Sequence, residues 1–361
     1  MSRSWMRVCV GVLIVLGLMG CTPATTSDEV ATSDVEATAD TPRPAWALAL
    51  HGGAGVIDRD MPEDQKAGYL AALEAALELG RDRLDAGDSA LQVVETVIRQ
   101  LEDEPRFNAG KGAVFTHDGT HELDASIMDG RDRSCGAVAG VKAIKNPITL
   151  ARLVMTESRH VFLIGAGAEA FAARHDVETV SQDYFFVERR HRQWQRALER
   201  EAAETASLET ASGSLDEKYG TVGVVALDRN GDLAAGTSTG GMTNKRFGRV
   251  GDVPVIGAGT WADNATAAIS CTGFGEQFIR NTVARDVAAR MSYQGLDLEA
   301  AAQAAIDQLE PGDGGLIAVG SDGSIALVFN SEGMFRGAAD ADGRFEVAIW
   351  GGEEGVSLNS F

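Results

Sequence analysis

Apolar and polar positions alternate along the chain in two blocks, and the first block predicts a buried strand followed by two helices. Trp46 to Leu50 is a continuous apolar run typical of a buried strand, and the turn-rich segment His51-Gly52-Gly53-Ala54-Gly55 ends it. Helix-spaced apolar positions then cover 63–85 and 89–102, the latter with Asp88 as its N-cap. Shorter strands are predicted at 113–116, 122–128, 136–141 and 161–164, with a helix at 147–157.

A second block of strands begins after a charged segment. Residues 189–219 lose their apolar rhythm beyond Leu198, so their second half predicts an exposed linker that ends at Gly220. Strands are then predicted at 221–227, 233–239, 267–271, 316–319 and 325–329, and helices at 276–291 and 298–309. Strands grouped on either side of helix pairs predict an α/β fold of layered sheets with helices outside. The length of the chain allows one large domain or two, and we take residues 45–361 as one domain.

The first 44 residues are not expected to belong to that fold. Arg3 and Arg7 precede a short apolar run, which predicts an export signal over residues 1–20. Leu18 to Cys21 resembles the lipobox of bacterial lipoproteins, although an ordinary cleaved signal would show the same first twenty residues. Lipidation of Cys21 would leave 21–44 as a flexible tether. We therefore expect an exported lipoprotein, anchored to a membrane on its periplasmic or extracellular side.

Charge and cysteine content exclude several classes of protein. A formal net charge of -21 would repel a phosphate backbone, so nucleic acid is not an expected partner. Beyond the first 44 residues the only cysteines are Cys135 and Cys271, which make no disulfide framework, and we expect both to be small buried residues. His117 and His121 flank a predicted turn and lack further ligands, so no metal site is expected there.

Two short motifs suggest other activities. Residues 236–240, Gly-Thr-Ser-Thr-Gly, fit the nucleophile elbow of serine hydrolases, with His51-Gly52-Gly53 as the oxyanion turn. That fold needs its histidine after the serine, whereas all six histidines of this chain precede Ser238. Residues 165–170 fit a dinucleotide-binding turn, but a charged helical stretch follows where another strand–helix unit is needed. A tight strand-to-helix turn of small residues is the favoured interpretation.

Gly220-Thr221 lies where the exposed linker meets a strand. A break between the two residues would give Thr221 a free α-amine, whose pKa of about 7.7–8.0 lets it accept the proton of the threonine hydroxyl at neutral pH. Before the break the same hydroxyl can attack the Gly220 carbonyl, and glycine permits a strained close approach. If 228–232 form a turn around Asn230, Thr221 faces Thr239 across a hairpin. Such a pair suits either a nucleophile with a neighbouring hydroxyl or ordinary sheet stabilisation.

Two loops downstream carry groups that suit an aspartate-like substrate. Arg249 can grip an α-carboxylate in a bidentate manner while Asp252 accepts from an α-ammonium group, although a solvated surface ion pair has the same spacing. Residues 271–276 run from a strand into a helix. Exposed backbone N–H groups and the Thr272 hydroxyl can stabilise an oxyanion there.

With these residues the chain, from Ala45 to its C-terminal region, resembles the plant-type asparaginase/isoaspartyl peptidase family of N-terminal nucleophile hydrolases. The stretches that keep the family's order are 51–55, 107–110, 124–130, 221–223, 237–245, 248–252 and 271–276. The resemblance implies a four-layer αββα sandwich, autoproteolysed into an α-subunit (45–220) and a β-subunit (221–361), and a dimer of αβ heterodimers. It also implies hydrolysis of L-asparagine and β-aspartyl dipeptides without a catalytic cofactor.

The resemblance assigns roles to individual residues. It implies that Thr221 is the nucleophile, that Thr239 and Thr272 flank it, and that Asn108 supports the site. Thr272 and Gly273 are the implied oxyanion hole. The implied substrate-binding residues are Arg249, Val250, Gly251, Asp252, Thr272, Gly273, Phe274 and Gly275. The 101–112 loop resembles one whose backbone carbonyls hold a structural sodium ion.

Three alternatives to an isoaspartyl peptidase stay open. Glycosylasparaginases share the Gly-Arg-Val-Gly-Asp stretch at 248–252, but they differ around the nucleophile and after Thr239. An inactive binding lipoprotein would keep the fold in an uncut chain. A serine hydrolase would depend on Ser238.

Overall fold

The computed structural model of the protein describes residues 43–207, 220–352 and 356–357, which form two β-sheets and a set of helices. The strands are β1 (Ala47–Gly55), β2 (Leu123–Asp129), β3 (Cys135–Val141), β4 (Phe162–Ile164), β5 (Val222–Leu227), β6 (Leu233–Thr239), β7 (Thr260–Ala262), β8 (Ala267–Gly273), β9 (Gly314–Gly320), β10 (Ile325–Phe329), β11 (Gly333–Asp340), β12 (Phe345–Trp350) and β13 (Val356–Ser357). The helices are α1 (Glu63–Asp85), α2 (Ala90–Asp103), α3 (Pro147–Glu157), α4 (Gly165–Ala172), α5 (Glu188–Ser207), α6 (Gly275–Asn281), α7 (Val283–Gln294) and α8 (Leu298–Ile306). The predicted α/β class is confirmed.

Several predicted boundaries are wrong. β1 does not end at Leu50 but continues to Gly55, because it pairs with β5 on one side and β11 on the other, with a bulge after His51. The N-cap of α2 is Ser89, which forms a capping box with Gln92. The strand predicted at 113–116 is not among the described strands, since that segment follows a short 3-10 helix.

The charged segment is also more helical than its composition indicated. α5 covers 188–207, so the linker predicted for the second half of this segment is wrong for the residues up to 207. Residues 208–219 of that linker lie outside the described residues. The predicted signal at 1–20, Cys21 and nearly all of the 21–44 tether lie outside them as well.

The larger sheet has nine strands in the order β13-β12-β11-β1-β5-β6-β2-β3-β4. β5 lies near its middle, paired antiparallel with β1 and β6, and β4 pairs parallel with β3 at the edge. All six residues of β5 are buried, as expected of a strand covered on both faces. Thr221 immediately precedes this strand, so it is held at a rigid position of the sheet.

A tight turn fixes the register between β5 and β6. The Asp228 carboxylate accepts from the backbone N–H groups of Asn230 at 2.8 Å and Asp232 at 3.1 Å, which is how aspartate stabilises a turn. Val222 consequently pairs with Ser238, and Gly223 with Thr237. One further step outward places Thr221 opposite Thr239, which confirms the predicted pairing.

Each face of the larger sheet packs against a different layer. Leu48, Val222 and Val224 belong to the core shared with α1, α2 and α3. Val225 and Leu227 belong instead to a core shared with the four-stranded sheet of order β10-β9-β8-β7, and α7 and α8 cover the far side of that sheet. Because side chains alternate along a strand, Thr221 and Gly223 face the space between the two sheets.

Candidate active site

The Thr221 hydroxyl lies against a second threonine at the mouth of the hairpin. Its Oγ1 donates to Thr239 Oγ1 at 3.0 Å, and Thr239 Oγ1 also accepts from the Gly241 backbone N–H at 3.0 Å. Thr221 is half-buried whereas Thr239 is buried. The strand thus presents one partly accessible hydroxyl whose direction is set by its neighbour.

Gly220 is held in a conformation that only glycine adopts readily. Its φ is 120°, and a Cβ there would lie 2.5 Å from the Asn108 backbone nitrogen. The Asn108 backbone N–H donates to the Gly220 carbonyl oxygen at 2.6 Å. This donor polarises the carbonyl that the Thr221 hydroxyl would attack.

The side chain of Asn108 joins the loops around the threonine pair. Its Nδ2 donates to the Gly241 carbonyl at 2.7 Å, and its Oδ1 accepts from the Val114 backbone N–H at 2.9 Å. Both ends of the amide are used, so its orientation is fixed. Asn108 therefore contacts the Gly220 carbonyl through its backbone, and it contacts Gly241 and Val114 through its side chain.

The end of β8 brings a third threonine and a glycine close to this point. Thr272 Oγ1 accepts from the Ala54 backbone N–H at 3.3 Å, which leaves its own hydrogen available for donation. Gly273 has a φ of 150°, and a Cβ there would collide with the Asp313 carbonyl oxygen. Thr272 is buried and Gly273 half-buried. The Thr272 hydroxyl hydrogen is thus available for an oxyanion, and Gly273 brings its backbone to the wall of the cavity beside Thr221.

The Arg249 guanidinium is already paired within the protein. Its Nε donates to Glu276 Oε1 at 2.9 Å and its Nη2 to Glu276 Oε2 at 2.8 Å, a bidentate geometry. A Cβ at Gly275 would lie 2.9 Å from Arg249 Nη2 and 2.8 Å from Asp252 Oδ1. Gly275 therefore lets the two charged groups approach each other closely.

Asp252 is a buried carboxylate with an unused oxygen. Its Oδ2 has no hydrogen-bond partner among the described residues. Burial is the largest cause that raises the pKa of Asp252 to about 7. A carboxylate held this way gains strongly from an incoming cation, such as a substrate ammonium group.

Most of the predicted site residues line one cavity of about 30 Å³. Val250, Thr272, Phe274 and Gly275 do not line it. The residues that line it are Asn108, Gly220, Thr221, Thr239, Gly241, Met242, Arg249, Gly251, Asp252, Val253 and Gly273. So small a volume admits about one water molecule, so the uncut chain leaves little room for a substrate between these residues.

His51 is a site residue to which the sequence analysis gave no role at Thr221. Its Nδ1 lies 3.1 Å from the Thr221 carbonyl oxygen, and its Nε2 lies 2.9 Å from Ser270 Oγ. Burial lowers the pKa of His51 to about 3, so the ring is neutral. Since a carbonyl only accepts, the proton lies on Nδ1. The only signal in the sequence was the His-Gly-Gly motif itself.

The structure excludes the competing motifs. Ser238 is fully buried on the helix side of the sheet and donates to Glu102 Oε1 at 2.6 Å, so the serine-hydrolase hypothesis is wrong. Gly165 opens α4 directly after β4. Among the described elements α5 follows α4 with no strand between them, whereas a dinucleotide-binding unit needs a further strand there. Within the described part of the chain, no group of three His, Cys, Asp or Glu side chains is placed to hold a metal ion. Cys271 is buried and Cys135 half-buried, and both are free thiols.

The 101–112 loop packs two backbone carbonyl oxygens against its own glycines. The Glu102 carbonyl oxygen points at the position of a Cβ on Gly110, and the Phe107 carbonyl oxygen points at one on Gly112. These two carbonyl oxygens lie against different glycines, so a sodium ion in this loop stays a prediction.

Proteins of known name match the chain over most of its length. It is 52% identical over 295 residues to an isoaspartyl peptidase of Salmonella typhimurium, an alignment that covers 80% of this chain and 93% of the relative. It is 46% identical over 323 residues to a probable isoaspartyl peptidase/L-asparaginase 2 of Arabidopsis thaliana, covering 84% and 99%. It is 41% identical over 313 residues to an isoaspartyl peptidase/L-asparaginase of Bos taurus, covering 86% and 97%.

These comparisons correct the predicted localisation. The bacterial relatives from Salmonella typhimurium and Escherichia coli are named as isoaspartyl peptidases, with no lipoprotein or membrane designation. Among the described residues no helix combines the length and apolar character needed to cross a membrane. Against these relatives, the expectation of an exported, membrane-anchored lipoprotein is wrong. The signal expected at 1–20 and the lipid expected on Cys21 fall on residues outside the described ones.

The geometry and the relatives agree with a family assignment. Thr221, Thr239, Arg249 and Asp252 meet in one cavity, and the family model described as asparaginase matches residues 44–349. Such enzymes are hydrolases, and the residues that meet here need no catalytic cofactor for amide hydrolysis. The chain belongs to the asparaginase family.

Proposed function

We propose that the chain cuts itself between Gly220 and Thr221 and then hydrolyses β-aspartyl peptides and the side-chain amide of L-asparagine. One observation carries this proposal. The Thr221 hydroxyl, oriented by Thr239 at 3.0 Å, lies in a cavity that also holds a guanidinium and a carboxylate. The relatives named as isoaspartyl peptidases support the choice of substrate.

Self-cleavage uses groups that already surround the Gly220 carbonyl. Thr221 Oγ1 attacks the Gly220 carbonyl carbon, and the Asn108 N–H stabilises the oxygen as charge develops on it. The C–N bond breaks, and the Thr221 nitrogen takes up the hydroxyl proton. Water then hydrolyses the ester to give a Gly220 carboxylate and a free Thr221 hydroxyl and amine. Loss of Gly220 from the cavity opens space for substrate.

Turnover repeats the same attack on a substrate carbonyl. The free amine of Thr221 takes the proton of the hydroxyl as it attacks the β-carbonyl. Thr272 Oγ1 and the Gly273 N–H receive the oxyanion, while Arg249 and Asp252 hold the α-carboxylate and α-ammonium. The leaving amine takes the proton from Thr221, and water hydrolyses the acyl-enzyme. Gly251 and Gly275 keep the walls free of side chains, and Val250 and Phe274 contribute backbone.

The architecture and assembly belong to the same proposal. The packing of helices, large sheet, small sheet and helices supports a four-layer αββα sandwich of the N-terminal nucleophile type. Its α-subunit would be 45–220 and its β-subunit 221–361, and we propose a dimer of these αβ heterodimers. A structural sodium ion would be held by carbonyls of the 101–112 loop.

A denaturing gel with N-terminal sequencing tests the cleavage. We expect two bands in place of one, the smaller beginning Thr221-Val222-Gly223. Thr221→Ala should remain uncut and inactive, whereas Thr266→Ala, which changes another threonine away from the cavity, should cut and turn over normally. An uncut wild-type chain that hydrolyses asparagine would contradict the mechanism. Parallel assays on a β-aspartyl dipeptide, asparagine and glycosylasparagine separate the peptidase from a glycosylasparaginase.

A further inference from the structure

Four fully buried hydroxyl side chains form a continuous row between the two sheets. Ser270 Oγ lies 2.7 Å from Thr237 Oγ1, which lies 2.6 Å from Thr260 Oγ1. Ser126 Oγ lies 2.8 Å from Thr260 Oγ1. None of the four side chains is exposed to solvent. Buried polar groups are costly unless they are bonded, so a row of four in the inter-sheet core suggests a function beyond packing.

The row connects the backbone of Thr221 to the backbone of Val253, next to the candidate substrate-binding residues 249–252. At one end Ser270 Oγ contacts His51 Nε2 at 2.9 Å, and His51 Nδ1 reaches the Thr221 carbonyl at 3.1 Å. At the other end Ser126 Oγ lies 2.6 Å from the carbonyl oxygen of Val253. Val253 directly follows Asp252 in the chain. The hydroxyl row therefore begins at the nucleophile and ends beside the candidate ammonium-binding carboxylate.

The chain leaves room for this arrangement at one position of β5. A Cβ on Gly223 would collide with both Ser270 Oγ and His51 Nε2. Gly223 is paired with His51 on one side and with Thr237 on the other. A glycine in the middle of a buried strand weakens the strand unless something approaches closely. Here the groups that approach closely are the His51 imidazole and the Ser270 hydroxyl, which are hydrogen-bonded to each other.

The number of hydrogens gives the row a direction. The Thr221 carbonyl only accepts, so His51 donates from Nδ1 and its Nε2 must accept from Ser270. Ser270 then has to accept from Thr237, and Thr237 from Thr260. Thr237 then has no hydrogen left to donate to the Gly259 carbonyl oxygen, which lies 3.3 Å from its Oγ1.

The same count leaves the hydrogen of one hydroxyl with two possible acceptors. Ser126 has one hydrogen and two acceptors, Thr260 Oγ1 and the Val253 carbonyl. Every other hydroxyl hydrogen points toward Thr221. Removal of any hydroxyl along the row therefore leaves its neighbour nearer to Thr221 without a donor, and such networks respond as a unit.

We propose that Ser270, Thr237 and Thr260, with Ser126 as their anchor, are positioning residues that act through His51 to fix the backbone of Thr221. The inference rests on the proposed role of Thr221 as nucleophile. Thr221 lies one residue before the paired segment of β5. After cleavage, the hydrogen bond from His51 to the Thr221 carbonyl restrains the peptide plane between Thr221 and Val222. A rotation of that peptide plane would displace the hydroxyl and the amine of Thr221 together.

A matched pair of substitutions at Thr260 tests the proposal. Thr260→Val keeps the shape and removes the hydroxyl, whereas Thr260→Ser keeps the hydroxyl. On a β-aspartyl dipeptide we expect Thr260→Val to lower kcat about tenfold with KM within about twofold, because positioning affects the transition state more than substrate binding. Thr260→Ser should recover most of kcat. Thr266→Val, which removes a buried hydroxyl without a partner in the described residues, should behave as wild type.

A second variant covers the case in which Thr260→Val does not fold. Ser270→Ala should lower kcat at least as much, and the double variant should be no worse than Ser270→Ala alone, since a row broken once is already broken. Additive losses, an unchanged kcat in a folded variant, or a rise in KM alone would overturn the proposal. Wild-type turnover and cutting before Thr221 are measured alongside, so a failure of the proposed function is seen separately.

Discussion

Replacing Gly220 with alanine should slow cleavage before Thr221 by about two to three orders of magnitude. The φ of 120° at Gly220 costs an L-residue about 1–3 kcal/mol. A new Cβ would lie 2.5 Å from the Asn108 nitrogen and 2.7 Å from its Cβ. The 2.6 Å hydrogen bond from Asn108 to the Gly220 carbonyl must therefore open, and losing such a buried bond costs about 1–3 kcal/mol more.

The middle of these ranges is about 4 kcal/mol, and each 1.4 kcal/mol is a factor of ten in rate. Freshly purified protein would be sampled over time on denaturing gels, with the uncut band as the readout. Gly87→Ala is the matched control, because Gly87 has a φ of 92° but no described atom within 4 Å of the new Cβ. If the strain were instead released in the transition state, Gly220→Ala would cut as fast as wild type or faster. That result would refute the role given to Asn108.

Further outcomes are expected from changes of pH and from four variants. kcat should fall as pH drops below about 8, since the protonated Thr221 amine cannot act as base. Thr221→Ser should keep part of both self-cleavage and substrate hydrolysis, because the hydroxyl and the amine remain. KM for β-aspartyl dipeptides should fall as pH rises through about 7, because the raised pKa of Asp252 delays its ionisation, and Asp252→Asn should remove this dependence. Arg249→Ala should lower kcat/KM several-fold or more while self-cleavage on gels stays intact. Ser238→Ala should retain turnover but lower Tm in a thermal melt, because Glu102 loses the hydroxyl that donates to it.

Local sequence was enough to predict the centre of the site. The turn at 228–232 has a short polar sequence between two apolar runs, and the period of two along each strand then fixes which residues face each other. Thr221 opposite Thr239 follows from that counting alone, and the 3.0 Å contact agrees with it. The roles of Asn108 and Gly273 came from the family resemblance, because neither residue has a distinctive pattern around it.

Contacts between the sheets could not be predicted in the same way. Ser270 and Thr260 lie on the small sheet and Thr237 on the large one, and the stacking of two sheets has no periodic signature in sequence. β11 was missed because its residues are buried almost throughout, and Gly333, Gly337 and two adjacent alanines hide the alternation. The break between α6 and α7 occurs at Thr282, which has a φ of 46°. Threonine rarely adopts this left-handed conformation, so its presence in the sequence does not predict a break.

The strand order of the large sheet has a consequence for the cleaved protein. Strands β1 to β4 would belong to one product and β5 to β13 to the other, yet β1 lies between β11 and β5 and β6 pairs with β2. The two products are therefore interleaved, with three hydrogen-bonded seams between them. They cannot separate by the opening of one edge. A precursor refolds as a single chain, whereas the cut enzyme, once denatured, must reassemble from two chains, so its recovery falls with dilution. The lifetime of the cut enzyme in use then depends on how slowly these three strand pairs separate.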